Sequence, residues 1–515
     1  MASEILAFDD RFGDYLGDES RTLGWAESIS FPENEAEVQT ILASLVQHNT
    51  AVTMQGSRTG ICGSAVPHGG HIVNMSRMNN IIGVVQDPIG HFAIRVQPGL
   101  TIGELHRRLR HRQIDSGRWG QTAKTDLEAW LHAAPHFWPP DPTEDSASIG
   151  GMAATNAGGP NAHHYGPTRK HVGGIRIVDG NGAAYLIDRG QYLFNQGRCP
   201  HPSGLTLVID DDLSGSDAAL DLIDLYLGSE GMFAAVTELS LILLPSPKEQ
   251  WVVVFFFPLE SHAASFIEDI RQSDKERHAA SIVAVEFLDA QVLDAIHQLQ
   301  EHNSRLTVLP EIASTTAAAV YLELHGNESD QIEDLATWLQ EVSIHYGSDV
   351  ERAWAFSGEQ ELARARLFRS AAPEAVNMLL DRSRSQDRRI AKLATDMRMP
   401  AGSFADVLQQ YRRDLQKAGL RGVIFGHAAD LHLHVNILPE DYAAFLRGQS
   451  LLSEWARKIS SAGGSVVGEH GVGKVKKYLF RSLPLPRHLA ILRCLKRQLD
   501  PRGIFNPGNM FENNP

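Results

Sequence analysis

From Leu431 onward the chain alternates, with Leu431, Leu433, Val435 and Ile437 on one side and His432, His434 and Asn436 on the other. That period of two marks a half-buried strand. Helical spacing appears elsewhere. Val38, Ile41, Leu42 and Leu45 follow Asn34, a suitable N-cap. A second helix is expected over about 101–112, opening at Thr101 with Glu104 three residues on, as in a capping box. Short strands are expected at 51–54, 72–75, 92–96, 175–178 and 235–244. The run from Trp251 to Phe257 is apolar throughout, far too short to span a bilayer, and reads as a buried strand. Beyond Pro245 and Pro247 the texture changes. Strands at 251–257, 282–287 and 318–324 alternate with helices at 260–272, 289–301 and 328–345, an α+β block around an antiparallel sheet. A charged helical stretch at 359–369 precedes Pro373. Helices follow at 403–419, at 450–462 with a stop at Gly463-Gly464, and at 486–499. Residues 115–137, with Trp119, Trp130 and Phe137, read as an insertion without an assigned role.

Composition narrows the classes. A chain of 515 residues favours two domains over one. Hydrophobic content of 43% and charged content of 21% suit an ordinary core. The net charge of −15 argues against general nucleic-acid binding, which needs a basic surface. The acidic start of the chain has no long apolar run, so no secretory signal and no transmembrane segment are expected. Cys62, Cys199 and Cys494 lie far apart with no CxxC. This fits a reducing compartment and no iron–sulfur cluster, so the expected location is cytoplasmic, with peripheral attachment at the inner face of the membrane left open.

Candidate chemistry gathers in three places. Gly426 to Asn436 holds three histidines in eight residues. A turn at Asp430 brings His427 back beside His432 and His434. With Glu469 this makes two or three imidazoles and one carboxylate, a set suited to zinc or another borderline divalent metal. His470 is then placed to act as a base, although a histidine before a glycine also serves as a hydrogen-bonded structural residue. The second place is the loop Gln55 to Ser64, where a strand ends in glycines whose backbone N–H groups suit an anion nest. A plain structural turn explains the same residues. The third is Ser148 to Gly159, a dozen small residues that read as a loop lying against something flat or bulky. No G-x-G-x-x-G opens a helix after a strand, so a Rossmann fold is not expected.

Taken in order, Gly56-Ser57-Arg58-Thr59-Gly60, Pro140-Asp141-Pro142, Ser148-Ile149-Gly150-Gly151, Asn156-Ala157-Gly158-Gly159, Tyr165-Gly166, Gly228-Ser229-Glu230-Gly231-Met232, the histidine strand, Glu469-His470-Gly471 and Phe505-Asn506-Pro507-Gly508 form one pattern. In it the chain resembles the FAD-linked oxidoreductases of the vanillyl-alcohol-oxidase type, in the branch of D-lactate, glycolate and D-2-hydroxyglutarate dehydrogenases. The resemblance implies an α+β fold. A two-subdomain FAD-binding domain of the PCMH type would cover 1–247. A cap domain with an antiparallel sheet would cover 248–440. A helical segment returning to the flavin would cover 441–515. Noncovalent FAD is implied, since the first loop lacks a tethering histidine. Gly56, Ser57, Arg58, Thr59, Gly60, Gly63 and Ser64 would hold the pyrophosphate. Pro140, Asp141, Ser148, Gly151, Asn156 and Gly158 would line the adenine and flavin side, and Asn506 would close over the isoalloxazine. His427, His434 and Glu469 match metal ligands, with zinc first and manganese second. Asn436 and His470 match substrate-site residues, and Arg369 matches the arginine that holds the substrate carboxylate. In a run with Arg364 and Arg366, that arginine also reads as part of a solvated helix face.

The implied reaction is oxidation of a D-2-hydroxy acid to its 2-oxo acid, with D-lactate first and glycolate or D-2-hydroxyglutarate next. It combines metal-assisted deprotonation by His470 with hydride transfer to flavin N5. Electrons would pass to an external acceptor: a quinone, a cytochrome or an electron-transfer flavoprotein. A homodimer stays open. The rival on the same fold is a flavin-dependent transferase of the alkylglycerone-phosphate synthase kind. Three departures stand out. Arg58 takes a place usually held by glycine, His432 replaces an asparagine, and 115–137 has no counterpart. Arg58 either adds a contact to the pyrophosphate or perturbs the loop. His432 is a further ligand, a residue behind the ligands, or a change of specificity.

Overall fold

The computed structural model describes residues 4–210, 213, 220–273, 278–481, 483 and 485–511. It divides into two compact units, residues 1–159, 166–246 and 469–515 in the first, and 160–165 and 247–468 in the second.

In the first unit, Ser28–Ser30 and Val52–Gln55 flank His71–Asn74 in parallel, and Leu6–Ala7 completes a four-stranded sheet. The helix Glu35–Gln47 connects two of these strands. Asn34 caps it by accepting from Glu37 N, and Val38, Ile41, Leu42 and Leu45 turn inward. Phe505, near the chain's end, is buried in that same core and bridges to Val52. A five-stranded antiparallel sheet follows, in the order Ile81–Gln86, Phe92–Val96, Ala235–Ile242, Val172–Val178 and Ala184–Asp188. The stretch at 115–137 acquires a role here. Its helix Gln121–His132 lies on the edge strand Ile81–Gln86 and buries Leu127 and Trp130, with the Arg112 guanidinium over the Trp130 ring.

The second unit is built on an eight-stranded antiparallel sheet. Its order is Trp354–Ser357, Glu249–Phe257, Ala318–Gly326, Ser281–Asp289, Gly422–His427, His432–Ile437 and Leu393–Ala394, with Met397–Arg398 also on His432–Ile437. Helices cover both faces, which explains why the 251–257 run is apolar without alternation. On one face Val252, Val254, Tyr321, Leu288 and Val423 pack with the helices Ala290–Gln300 and Glu359–Gln386. On the other, Phe255, Phe257 and Phe287 meet Phe266 and Phe404.

Several expectations are corrected. The small-residue block at 148–159 opens with a helix, Ile149–Thr155, capped by Ser148. Its glycines permit close packing, since a Cβ on Gly150 would lie 2.6 Å from Pro98 Cβ. The charged stretch at 359–369 belongs to one helix, Glu359–Gln386, that runs through Pro373. The helix expected at 450–462 begins earlier, at Tyr442. Trp455 of that helix is buried against Tyr411, so the chain stays in the second unit to Gly468 rather than leaving it at 441. Residues 160–165 also belong to the second unit, with Pro160–His163 packed on Ser281–Asp289. Among the described residues no helix is long and apolar enough to cross a membrane.

Candidate active site

In the first unit, Val52–Gln55 runs into the first glycine loop. A Cβ on Gly56 would lie 2.1 Å from Ser148 Oγ, so this approach admits only glycine. Ser148 Oγ accepts from both Ser57 N and Gly151 N, at 3.3 Å each. Arg58 takes a left-handed backbone at φ 63°. Its guanidinium donates to Asp14 O and stacks on the Tyr15 ring at 4.5 Å. The side chain therefore fastens the N-terminal 3-10 helix Asp10–Leu16 to the loop. Gly60 is exposed, Thr59 and Ser64 are half-buried, and Gly63 is buried at φ 72°.

The second glycine block closes beside the first. Asn156 sits at φ 52° as the helix C-cap and accepts from Arg169 N at 3.0 Å. Pro140, Asp141 and Gly158 are buried, and a Cβ on Gly159 would strike Asp141 O at 2.1 Å. Asn506 is buried, accepts from Met54 N at 2.7 Å and donates to Glu230 O at 2.6 Å. Gly56 and Gly159 thus let the loops pack at close range, while a Cβ on Gly60 would meet open space, and glycine-rich loops of this kind fit the pyrophosphate of a flavin nucleotide.

The turn from Glu469 to Gly473 is held from several directions. Glu469 accepts from Gly159 N at 2.9 Å, and its other oxygen lies 3.4 Å from His470 Nε2. Cys62 Sγ donates to Gly471 O at 3.2 Å, while Cys62 O accepts from Lys474 N at 2.9 Å. The Glu230 carboxylate accepts from Val472 N and Gly473 N. Lys474 follows the turn. Its ammonium donates to Asn509 Oδ1 at 2.6 Å, and burial lowers it to about 8.

The histidines lie in the second unit on a hairpin of Gly422–His427 and His432–Ile437. His427 stands opposite His432, and Phe425 opposite His434, so all three rings share a face with Asn436. Their centroids are 4.8–5.3 Å apart. His427 Nδ1 meets the buried Glu286 carboxylate at 2.5 Å, and His434 Nδ1 faces Thr395 O at 3.4 Å. A carbonyl only accepts, so Nδ1 of His434 carries the proton and Nε2 the lone pair. The Glu286 side chain engages Nδ1 of His427 and leaves its Nε2 on the opposite side of the ring. His432 differs, because its Nε2 is taken by Asp396 Oδ1 at 3.0 Å. It also fills the space beside Gly468, where a Cβ would lie 2.6 Å from His432 Cε1. Asn436 Nδ2 donates to His434 O at 3.2 Å.

Arg369 is buried at 8% exposure, on the helix that covers this same face through Ala365, Phe368 and Ala372. The solvated-face reading suits Arg364, which pairs with Glu361 at 2.8 Å, but not Arg369.

Sequence reasoning missed the groups behind these side chains. Glu286, Asp396 and Thr395 orient the histidines. Tyr165, His325 and Glu323 form a buried chain, with Tyr165 Oη 2.8 Å from His325 Nδ1 and His325 Nε2 3.2 Å from Glu323 Oε1. Burial pushes the Tyr165 phenol up to about 12. The signal for this chain was legible. Tyr321, Glu323 and His325 are polar at period two inside a strand that is otherwise apolar.

Glycine loops packed at close range in one unit, and imidazoles, carboxylates and a buried arginine carried by the other, fit a flavin-dependent oxidoreductase. The chain belongs to the FAD linked oxidases. Their C-terminal domain model matches residues 246–510, and an FAD binding domain model matches 26–120 and 122–186. It is 27% identical to a D-lactate dehydrogenase of Anaerostipes hadrus over 98% of this chain and 94% of that one. It is 26% identical to the glycolate oxidase subunit GlcD of Bacillus subtilis (strain 168), over 94% of this chain and 89% of that one. Among solved structures it is similar in fold to p-cresol methylhydroxylase with substrate bound, at TM-score 0.65 and 16% identity, over 98% of this chain and 93% of that one.

Proposed function

We propose that the protein oxidises a D-2-hydroxy acid to the 2-oxo acid, with D-lactate the first candidate and glycolate and D-2-hydroxyglutarate next. One observation carries the reading: two imidazoles, each with Nδ1 engaged by an oxygen behind it, share a sheet face with Asn436, under the helix that bears a buried arginine. A 2-hydroxy acid needs a cation for its carboxylate and help in ionising its hydroxyl. Relatives named D-lactate dehydrogenase, glycolate oxidase subunit and D-2-hydroxyglutarate dehydrogenase support the same class.

In this reading Arg369 holds the carboxylate, most firmly in a bidentate pair. His427 and His434 offer Nε2 to a divalent metal, zinc first and manganese second. Glu469 joins them as the residue one peptide bond beyond Gly468, itself fixed by Gly468 N donating to Asp396 O at 2.6 Å. The donor set of two imidazoles and a carboxylate fits such an ion. When bound, the ion supplies Lewis acidity that lowers the pKa of the substrate hydroxyl. His470 accepts the hydroxyl proton, and Asn436 orients the substrate. The loops at 56–64 and 140–158 would hold noncovalent FAD, which when bound would supply the two-electron acceptor for the substrate hydride, and an external acceptor of the quinone, cytochrome or electron-transfer-flavoprotein kind would reoxidise it.

The test is anaerobic. D-lactate, L-lactate, glycolate, D-2-hydroxyglutarate and D-malate are added separately to the yellow protein before and after chelation. Bleaching by a D-acid, abolished by chelation and restored by zinc or manganese, is expected. A yellow protein that none of them bleaches rejects the substrate class. A transferase of the alkylglycerone-phosphate synthase kind leaves no net reduction of the flavin, so bleaching also rejects that rival.

A further inference from the structure

Glu230 is 2% exposed and lies at φ 51°, in the left-handed region, between Gly228 and Gly231. A non-glycine residue there is uncommon, so the fold keeps a carboxylate where glycine would be easier. Oε1 accepts from Val472 N at 2.6 Å, and Oε2 accepts from Gly473 N at 2.9 Å and from Ser64 Oγ at 2.8 Å. Its backbone is engaged as well. Glu230 N donates to Ala154 O at 2.8 Å, and Glu230 O accepts from Asn506 at 2.6 Å and Asn509 at 3.2 Å. One residue thus meets the first glycine loop, the helix of the second block, the Glu469–Gly473 turn and the C-terminal segment. The turn is shaped to receive it, for a Cβ on Gly471 would lie 2.6 Å from Glu230 Oε1. Burial raises the pKa of this carboxyl, while the three donors work to keep it ionised.

We propose that Glu230 is a positioning residue: its carboxylate holds the turn that bears Glu469 and His470 in register with the loops that hold the flavin. The inference rests on the reading of His470 as the base. Glu230 touches no reacting atom. A bonded N–H pair fixes the turn's backbone, and a displacement of about 1 Å at a reacting group costs on the order of 10²-fold in rate.

The holoenzyme of Glu230→Gln tests this. Glutamine keeps the length but sets an amide NH2 against backbone donors. Amide exchange at Val472 and Gly473 is expected to quicken at least about 10-fold, following loss of their acceptor. The kcat should fall about 10–100-fold while KM changes little. The zinc dissociation constant, read by chelator competition, should rise about 10-fold through Glu469. FAD content per chain should stay at the wild-type level. Wild-type exchange, or faster exchange with wild-type kcat and zinc affinity, overturns the proposal. So does a loss of FAD in step with activity, which makes Glu230 a flavin-holding residue only. Should Glu230→Gln not fold, Glu230→Asp withdraws both oxygens by one methylene and keeps the charge. The same direction in exchange and kcat is then required, and wild-type kcat with faster exchange overturns it. A parallel His470→Ala variant separates the two readings. If flavin reduction survives in it, the base assignment fails, while exchange and zinc affinity still report on Glu230.

Discussion

The two units hold their functional groups by different means. In the first, each contact pairs a side chain with a backbone atom. Glu469 is held by Gly159 N, Gly471 O by Cys62, and the Val472 and Gly473 amides by Glu230. In the second, the partners are mostly side chains or strand-edge groups. His427 rests on Glu286, His432 on Asp396 and His325 on Glu323. Backbone cradles depend on glycine and on close approach. Imidazole rows depend on an acceptor behind each ring, a carboxylate for His427 and His432 and the Thr395 carbonyl for His434, which sets the orientation. The first kind of site should therefore fail by loss of shape and the second by loss of proton placement.

The largest expected effect lies where the cradle carries chemistry. His470→Ala should lower the rate of anaerobic flavin reduction by about 10²–10⁴-fold with FAD retained. A rate within a few-fold of wild type would leave the turn a structural device only. In the second unit, Arg369→Ala should weaken carboxylate binding by about 1.5–3 kcal/mol, the usual worth of a charge-assisted hydrogen bond. A KM unchanged across the acid panel would return Arg369 to packing. Glu286→Gln should lower zinc affinity about 10–100-fold while leaving thermal stability and FAD content near wild type. A drop in stability without a change in zinc affinity would erase the distinction between the units. Gly473→Ala does the reverse. Its Cβ would lie 2.0 Å from Cys62 O at a backbone φ of 55°, so a loss of about 1–3 kcal/mol is expected, read as a lower urea midpoint.

The smallest effect per pH unit concerns His71, buried between Ser28 Oγ at 2.7 Å and Ser30 Oγ at 2.8 Å. Burial pushes its imidazole down to about 4. As pH falls through about 6.5 the unfolded chain binds a proton and the folded chain does not. The stability present above about 6.5 is therefore lost on descent toward 4, by about 1.4 kcal/mol per pH unit. Urea midpoints at pH 7.5, 6 and 5 should show a smaller slope in His71→Asn. An equal slope would assign the acid sensitivity to other groups.

Legibility in the sequence followed the range of the interaction. The Glu35–Gln47 and Ile102–His111 helices were readable because cap and apolar spacing lie within one element. The insertion was not, since Trp130 is apolar for the sake of a strand some forty residues away. The Ile149–Thr155 helix was misread as loop because its small residues answer to a neighbour, Pro98, rather than to their own propensity. The continuity of Glu359–Gln386 through Pro373 is likewise a tertiary outcome, since packing on the sheet outweighs the lost backbone bond.

By itself the sequence determined the class of protein, the order of the glycine blocks, the period-two row of His432, His434 and Asn436, and the identity of the residues that could ligate or accept a proton. Those are local patterns, carried by spacing and residue type. Only the tertiary structure decided which atoms meet. It sent the Arg58 guanidinium to Asp14 and Tyr15, buried Arg369 while leaving Arg364 to an ion pair, and gave His427 to Glu286 and His432 to Asp396. It also placed Glu230 against a turn more than two hundred residues away in sequence. The physical reason is that hydrogen-bond partners and burial depend on which elements pack together. Residues with the same local signal therefore acquire different tasks once the chain has folded.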